Sequence, residues 1–345
     1  MIITDAEHRA MSRALALAGT PGVPLGPNPR VGCVLLGSDG DPLAEGFHRG
    51  AGTPHAEGSA LAAAGSAAAG GTAVVTLEPC NHSGRTGPCT RALIAAGVRR
   101  VVFAQPDPNP VAAGGAATLR AAGVEVVAGL LESQARDLNR AWTFAMEHRR
   151  PFVTWKFATT LDGRSAAADG TSRWISSSAA RRDAHRLRSQ CDVILVGSNT
   201  VERDDPELSV RDEFDEPVPH QPLRAVMGLR TLSGDRRVFN DRADTVRIET
   251  HDPHAALQAL FARSRRHVFL EGGPTLAAAF LRAGLVDEIV VYVAPILLGA
   301  GPASVADLGI TTITEARHFA VTDVTTLEAS DLGSDACIRI TLKGT

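Results

Sequence analysis

The chain reads as an α/β protein of two domains built on largely parallel sheets. Three observations predict this. Short apolar runs alternate with helical patterns along all 345 residues, turn residues separate them, and a polar helical stretch closed by Pro151 divides the series. The first element is a helix capped by Thr4 or Asp5, with Met11, Ala14, Leu15 and Ala18 on one face. An apolar strand follows at 31–36 and an Ala-rich helix at 57–69. Strands at 72–77, 101–105 and 124–128 then alternate with helices at 90–96 and 114–122. Residues 132–150 are polar and helical, and a new strand at 152–157 starts after Pro151, which puts the domain boundary near 147–151. The second series has strands at 193–196, 224–227 and 268–270, a helix at 273–283, and strands at 288–293 and 336–342. Residues 204–222, rich in proline and acids, read as a loop.

Composition narrows the function classes. The net charge of −3 gives no electrostatic case for a nucleic-acid surface, and no apolar run is long enough to span a membrane. The N-terminus carries acids early and lacks a basic-then-apolar signal pattern. Five cysteines are unevenly spread; Cys33, Cys191 and Cys337 sit in strand-like runs as buried thiols, so a reducing, cytoplasmic setting is expected. Lysine is nearly absent. Of 35 Lys and Arg residues only Lys156 and Lys343 are lysine, and Lys156 lies inside an apolar run, where a compact ammonium differs from a guanidinium fork.

The chemistry-bearing segments are His55-Ala56-Glu57 and, further on, Pro79-Cys80 with Cys89 behind it. One His and two Cys form a three-ligand zinc set that leaves a fourth position for water, and zinc makes such a water nucleophilic near neutral pH. Glu57, two residues past His55, suits a proton shuttle, the logic of the zinc-dependent base deaminases. A structural site would instead be closed by a fourth ligand such as His82 or a further Cys, and would not need Glu57. His48 and His82 are nearby imidazoles, each readable either as a competing ligand or as a surface or hydrogen-bonded side chain. Asn28, fixed between Pro27 and Pro29, can donate and accept towards a pyrimidine, or serve simply as a turn residue. In the second half no Gly-x-Gly-x-x-Gly fingerprint appears. Glu271-Gly-Gly-Pro-Thr-Leu follows a strand and opens a helix, a weak phosphate-cradle signal when taken alone.

Longer strings carry a resemblance. Val75-Thr-Leu-Glu-Pro-Cys-Asn-His-Ser-Gly-Arg-Thr-Gly-Pro-Cys with Pro106-Asp-Pro-Asn-Pro, then Lys156-Phe-Ala-Thr-Thr-Leu-Asp-Gly-Arg, Ser172-Arg-Trp-Ile-Ser, Gly197-Ser-Asn-Thr-Val-Glu-Arg-Asp-Asp-Pro-Glu-Leu and Glu271-Gly-Gly-Pro-Thr-Leu resemble the bifunctional deaminase–reductase family of riboflavin biosynthesis over nearly the whole chain. The resemblance implies a cytidine-deaminase-like α/β/α domain over 1–147 and a dihydrofolate-reductase-like domain over 151–345. The first hydrolytically deaminates a diaminopyrimidinone carrying a ribosylamino phosphate. The second, an oxidoreductase, reduces the ribosyl chain to ribityl with NADPH. By the same likeness His55, Cys80 and Cys89 bind one zinc per chain, Glu57 is catalytic, Asn28 holds the base and Arg85, where relatives often have Lys, meets the ribose phosphate. Thr159, Trp174, Thr200, Asp204 and Gly273, Pro274, Thr275, Leu276, Ala277, Ala278 and Ala279 line the NADP side. Lys156, Ser172, Arg188, Leu208, Arg211 and Glu271 line the substrate side, with Lys156, Asp204 and Glu271 as candidate proton donors. Gly87 and Gly58-Ser59 depart from the family's usual residues. The implied partners are a small phosphorylated pyrimidine, no nucleic acid and no membrane; a homo-oligomer is compatible with the sequence. The competing readings are a nucleoside or tRNA deaminase with an accessory nucleotide-binding domain, and a non-catalytic zinc-stabilised dinucleotide sensor.

Overall fold

A computed structural model describes residues 2–23, 26–82, 87–328 and 336–344. It falls into two compact units, Met1–Arg149 and Arg150–Thr345.

The first unit runs α1 (Asp5–Ala18), β1 (Gly32–Leu36), β2 (Pro42–Phe47), α2 (Ala56–Ala64), β3 (Thr72–Leu77), α3 (Cys89–Ala95), β4 (Arg100–Gln105), α4 (Gly115–Ala121), β5 (Glu125–Ala128), α5 (Glu132–Leu138) and α6 (Arg140–His148). Thr4 caps α1 in a capping box with Glu7. The sheet order is β2-β1-β3-β4-β5; β1 is antiparallel to both neighbours, and β3, β4 and β5 are parallel. β1 is buried along its whole length because both faces are covered. Val34 and Leu36 join Met11 and Ala14 of α1 on one face, whereas Cys33 and Leu35 join Ala56 and Ala60 of α2 on the other. This two-sided burial explains why the strand reads as an unbroken apolar run.

Two glycines set how closely the helices approach. A Cβ on Gly32 would lie 2.0 Å from the Ala14 carbonyl oxygen, and one on Gly46 would lie 2.3 Å from the Ala56 oxygen and 2.6 Å from the Ala60 nitrogen. The second contact seats the first turn of α2, and with it Glu57, against β2.

The second unit runs β6 (Phe152–Thr160), α7 (Ser178–Arg188), β7 (Val193–Gly197), α8 (Ser198–Asp204), β8 (Leu223–Met227), β9 (Thr245–Ile248), α9 (Pro253–Ala262), β10 (His267–Leu270), α10 (Pro274–Arg282), β11 (Glu288–Ala294), β12 (Phe319–Leu327) and β13 (Cys337–Gly344). Its sheet order is β12-β13-β11-β6-β10-β7-β8-β9, parallel from β11 to β9 and antiparallel across β13. Leu195, Ala225, Val268 and Leu270 pack with Leu257, Leu260 and Phe280 on one face. Ile194, Val196 and Val226 pack with Val201, Leu208 and Val238 on the other.

The sequence reading differs from this fold in identifiable places. It passes over β2, α7, α8, β9, α9 and β12. β2 is a largely exposed edge strand that opens on Pro42 and mixes polar with apolar residues. β12 is likewise mostly exposed and has no buried alternation to detect. The helix expected over 57–69 ends at Ala64, where Gly65 takes φ 56° and a 3₁₀ turn follows. The helical stretch 132–150 divides at Asn139, which joins Arg30 through two hydrogen bonds of 2.8 Å. The first sheet is half antiparallel where a largely parallel one was expected, whereas the second is parallel in five of its seven pairings.

Gly46→Ala should destabilise the first unit, because backbone and not a flexible side chain blocks the new methyl. Overpacking of this kind costs about 1–3 kcal/mol. Thermal unfolding should show a lowered midpoint together with a loss of bound zinc; a parent-like melting curve with full zinc content contradicts the tight α2–β2 seat.

Candidate active sites

In the first unit three elements converge beyond the C-terminal end of β3. His55 immediately precedes α2, Cys89 is the first residue of α3, and Cys80 lies in the loop leaving β3. His55 Nδ1 is 3.3 Å from Cys89 Sγ and 3.5 Å from Cys80 Sγ, and the three atoms lie within 4.8 Å of one another. With Zn–N near 2.0–2.1 Å and Zn–S near 2.3 Å, a tetrahedral ion sets an N···S edge of roughly 3.5 Å. The donor set therefore fits zinc. Among the described residues these three form the cluster and no fourth His, Cys, Asp or Glu joins it; His82, the alternative ligand, is not part of it.

The proton chemistry of the trio suits a cation. The hydrogen bond from Cys89 holds the Cys80 thiol well down, to about 4, against burial, with His55 and the Cys89 N–H adding to the effect. The Cys89 thiol is pushed up by the same bond, by burial and by Glu57. Two sulfurs thus compete for one proton, and a bound divalent cation relieves both at once. Glu57 is buried, within hydrogen-bonding range of Cys89, and burial raises its pKa.

Asn28 is held from behind. Its Nδ2 lies 2.9 Å from His48 Nε2, and His48 Nδ1 lies 3.1 Å from the Pro54 carbonyl oxygen. The carbonyl requires a proton on Nδ1, so Nε2 accepts and the Asn28 amide donates. The Asn28 Oδ1 atom is left for another donor. Burial lowers the His48 pKa, which favours the neutral ring. This hydrogen-bonded role is one of the two that its sequence position allowed. Arg85 lies outside the described residues.

In the second unit Glu271 follows β10, and Arg188 closes a two-pronged ion pair on it: Nε to Oε1 at 2.8 Å and Nη2 to Oε2 at 2.6 Å. Arg188 Nη1 donates to the Ser209 carbonyl oxygen at 2.8 Å. Burial pushes the Glu271 pKa up, but the Arg188 charge and hydrogen bonds overcome it and hold the carboxyl near 2. Lys156 faces the same pair. Burial lowers its pKa while Glu271 supports its charge, and its Nζ sits 5.6 Å from the Tyr292 ring centre. The lysine that stood out in the composition thus belongs to a buried charge network.

Arg211 is held separately. Its Nη2 donates to the buried Glu207 at 2.9 Å, its Nη1 to the Asp215 carbonyl oxygen at 2.6 Å, and its Nε to Ser209 Oγ at 3.2 Å. Its backbone N–H donates to His185 Nδ1 at 3.2 Å. Arg188 and Arg211 thus both meet Ser209. Leu208, buried at φ 56°, lies in the same segment. His185 is absent from the sequence-based site; its only signal is the i, i+3 spacing to Arg188 on α7.

Among the residues expected to hold the cofactor, the glycines after β10 lie against α8 and α10. A Cβ on Gly273 would lie 3.9 Å from Thr200 Oγ1, and one on Gly272 would lie 2.5 Å from Leu276. Pro274 opens α10 and Thr275 is exposed in its first turn, whereas Ala277 and Ala278 face the core and Leu276 and Ala279 are partly buried. Thr159 is buried and receives a hydrogen bond from Ser304 Oγ at 2.7 Å, a partner the sequence reading missed. Ser172 and Trp174 stand on an exposed segment, where Arg181 lies 4.4 Å from the Trp174 ring centre. Asp204 ends α8, exposed, and its backbone oxygen accepts from Arg173 at 3.0 Å.

Comparison with known proteins places both units. A family model described as the cytidine and deoxycytidylate deaminase zinc-binding region matches residues 4–105, and one described as the RibD C-terminal domain matches residues 151–337. The riboflavin biosynthesis protein RibD of Mycobacterium tuberculosis is 51% identical over 85% of this chain and 86% of its own length. That of Escherichia coli is 40% identical over 96% and 98%. Among solved structures, Acinetobacter baumannii RibD superposes with a TM-score of 0.90 at 38% identity, covering 99% of each chain. A Thermotoga maritima protein described as a diaminohydroxyphosphoribosylaminopyrimidine deaminase/5-amino-6-(5-phosphoribosylamino)uracil reductase gives 0.86 at 31% identity, again covering 99% of each. No described helix is long and apolar enough to cross a membrane.

The His185 contact has a pH signature. Burial, then the Arg188 charge, pushes its pKa down to about 4, below the roughly 6.5 of an unfolded histidine. Between those values the unfolded chain binds a proton that the folded chain refuses, so stability should fall as pH drops from about 6.5 to 4. His185→Asn supplies an acceptor that does not titrate and should flatten that part of the slope. Urea unfolding of both proteins from pH 4 to 7 measures it; parallel curves contradict the assignment.

Proposed function

The chain belongs to the RibD family of riboflavin-biosynthesis proteins and is a bifunctional zinc-dependent deaminase and NADPH-dependent reductase, and we propose how its residues divide the two reactions. The deaminase substrate is the diaminopyrimidinone that bears a ribosylamino 5′-phosphate. His55, Cys80 and Cys89 hold the zinc, which when bound supplies Lewis-acid activation of a water molecule. Glu57 takes a proton from the attacking water and delivers it to the departing amine; its burial beside Cys89 raises its pKa toward the range such transfer needs. Asn28, with its amide committed to His48, presents Oδ1 to a donor of the base. Arg85 meets the ribose phosphate.

In the second unit NADPH, when bound, supplies the hydride. Gly273 to Leu276 receive its phosphates at the start of α10, with Thr159, Thr200, Trp174 and Asp204 alongside, whereas Ala277 and Ala278, expected from the sequence to join them, face the core instead. Glu271, fixed as a carboxylate by Arg188, orients the sugar, and Lys156 supplies the proton that balances the hydride, with Asp204 the remaining candidate donor. Arg211 and the N–H groups of Arg188 not committed to Glu271 and Ser209 face the substrate phosphate, with Ser172 and Leu208 at the same side. The domains are 1–147 and 151–345.

The observation that carries this reading is the convergence of His55, Cys80 and Cys89 beside a buried carboxylate that no structural zinc site requires. The test supplies the ribosylamino diaminopyrimidinone phosphate and NADPH to purified protein, and follows ammonia release and NADPH loss separately. Glu57→Gln should keep its zinc, lower ammonia release by about 10²–10⁴-fold, and reduce the pre-deaminated substrate at the parent rate. Deamination at the parent rate by the variant contradicts the role of Glu57.

A further inference from the structure

The chain holds a single tyrosine, Tyr292, and two lysines, Lys156 and Lys343. Tyr292 lies on β11, 1% exposed, and Lys156 lies on the neighbouring strand β6. The two strands run parallel, with Val290 beside Lys156 and Tyr292 beside Ala158. Side chains two residues apart share a face of a sheet, so Lys156 and Tyr292 leave it on the same side, the side that α7 covers with Ala180 and Ala184. There the Lys156 ammonium stands over the face of the Tyr292 ring, 5.6 Å from its centre.

The ring is fixed at its far end. Its hydroxyl donates to Asp183 Oδ2 of α7 at 2.8 Å, and Asp183 also accepts from Arg339 of β13 at 3.0 Å and pairs with Arg186 at 2.7 Å. A hydroxyl that donates to a carboxylate gains negative charge on its oxygen and shares it with the ring, whose face becomes the better seat for a cation. The other charged groups around Lys156 oppose one another. Glu271 supports its charge and Arg188 of α7 works against it, and these two are locked in their two-pronged pair with His185 of α7 beside them. Burial disfavours the ammonium further. Glu271 divides its charge between Lys156 and Arg188, and the Tyr292 face adds support for the ammonium.

We propose that Tyr292 is a positioning residue of the reductase: its ring, anchored to α7 through Asp183, holds Lys156 charged and in place to give up its proton. The inference rests on the reading of Lys156 as the donor that balances the hydride, and adds what keeps the proton on that lysine. In the step it serves, a C–H bond forms at the anomeric carbon with the hydride of NADPH, leaving NADP+. The ring C–O bond breaks, the released oxygen takes the proton of Lys156, and the lysine recovers a proton from solvent.

Having only two lysines makes the test direct. Full-length protein grown with lysine isotope-labelled at Cε gives two nuclear magnetic resonance signals, and Lys343→Arg assigns them. Titration across the neutral and alkaline range then reads Lys156, with Lys343 as the internal reference. Tyr292→Leu removes the ring and should lower the Lys156 midpoint by about 0.5–1.5 pH units, the equivalent of one cation–π contact. Tyr292→Phe keeps the ring without its bond to Asp183 and should give a smaller fall in the same direction. A lysine that donates a proton works while charged. The alkaline limb of kcat for reduction of the pre-deaminated substrate should therefore move to lower pH by a matching amount in each variant, which a loss of packing alone does not produce. An unchanged Lys156 midpoint in Tyr292→Leu overturns the proposal and leaves the reading of Lys156 standing. If that variant loses its fold, Tyr292→Phe decides by the same criterion. A lowered midpoint with an unmoved alkaline limb shows that Lys156 is not the donor, and overturns that reading and the proposal together.

Discussion

Two cysteine thiols and an imidazole held within 4.8 Å of one another are an unfavourable arrangement unless something shares their charge. Both sulfurs are buried, and they compete for protons in opposite directions. A divalent cation removes that conflict and returns binding energy to the fold. The rest of the first unit can be read as what holds the three donors in register. β3 delivers Cys80, α3 begins on Cys89, and α2 begins directly after His55, seated on β2 by the missing side chain of Gly46. Glu57 follows from the same seat, since it lies in the first turn of α2.

The second unit solves a different electrostatic problem. It buries a lysine, an arginine and a glutamate together, which is tolerable only when they are paired with good geometry. The two-pronged Arg188–Glu271 pair, joined by Lys156, meets that condition. This pair differs from the sequence-level picture of Arg188 as an open phosphate grip: most of its donors are committed within the protein. Arg211 is similarly committed to Glu207 and Asp215. The arginines therefore act first as scaffolding for the site, and the phosphate contact proposed for them is left to their remaining N–H groups.

The legible and illegible parts of the sequence divide along physical lines. β1, β3 and β4 were readable because burial on both faces makes them continuous apolar runs. The zinc trio was readable because residue type and order are enough to suggest ligands. β2 and β12 were not, since exposed edge strands need no apolar pattern. Nor were His185 or Ser304 as members of the reductase site: each acts through one hydrogen bond to a residue distant in sequence, Arg211 and Thr159. The commitment of Asn28 to His48 belongs to the same class, since only the fold brings the two together.

The account depends most directly on a zinc centre with three protein ligands. X-ray absorption at the zinc edge of the purified protein measures that centre. Two sulfur scatterers at about 2.3 Å with two nitrogen or oxygen scatterers near 2.0–2.1 Å are predicted, and His55→Ala should remove the imidazole contribution. A third sulfur, a second imidazole, or a protein that holds no stoichiometric zinc would contradict it.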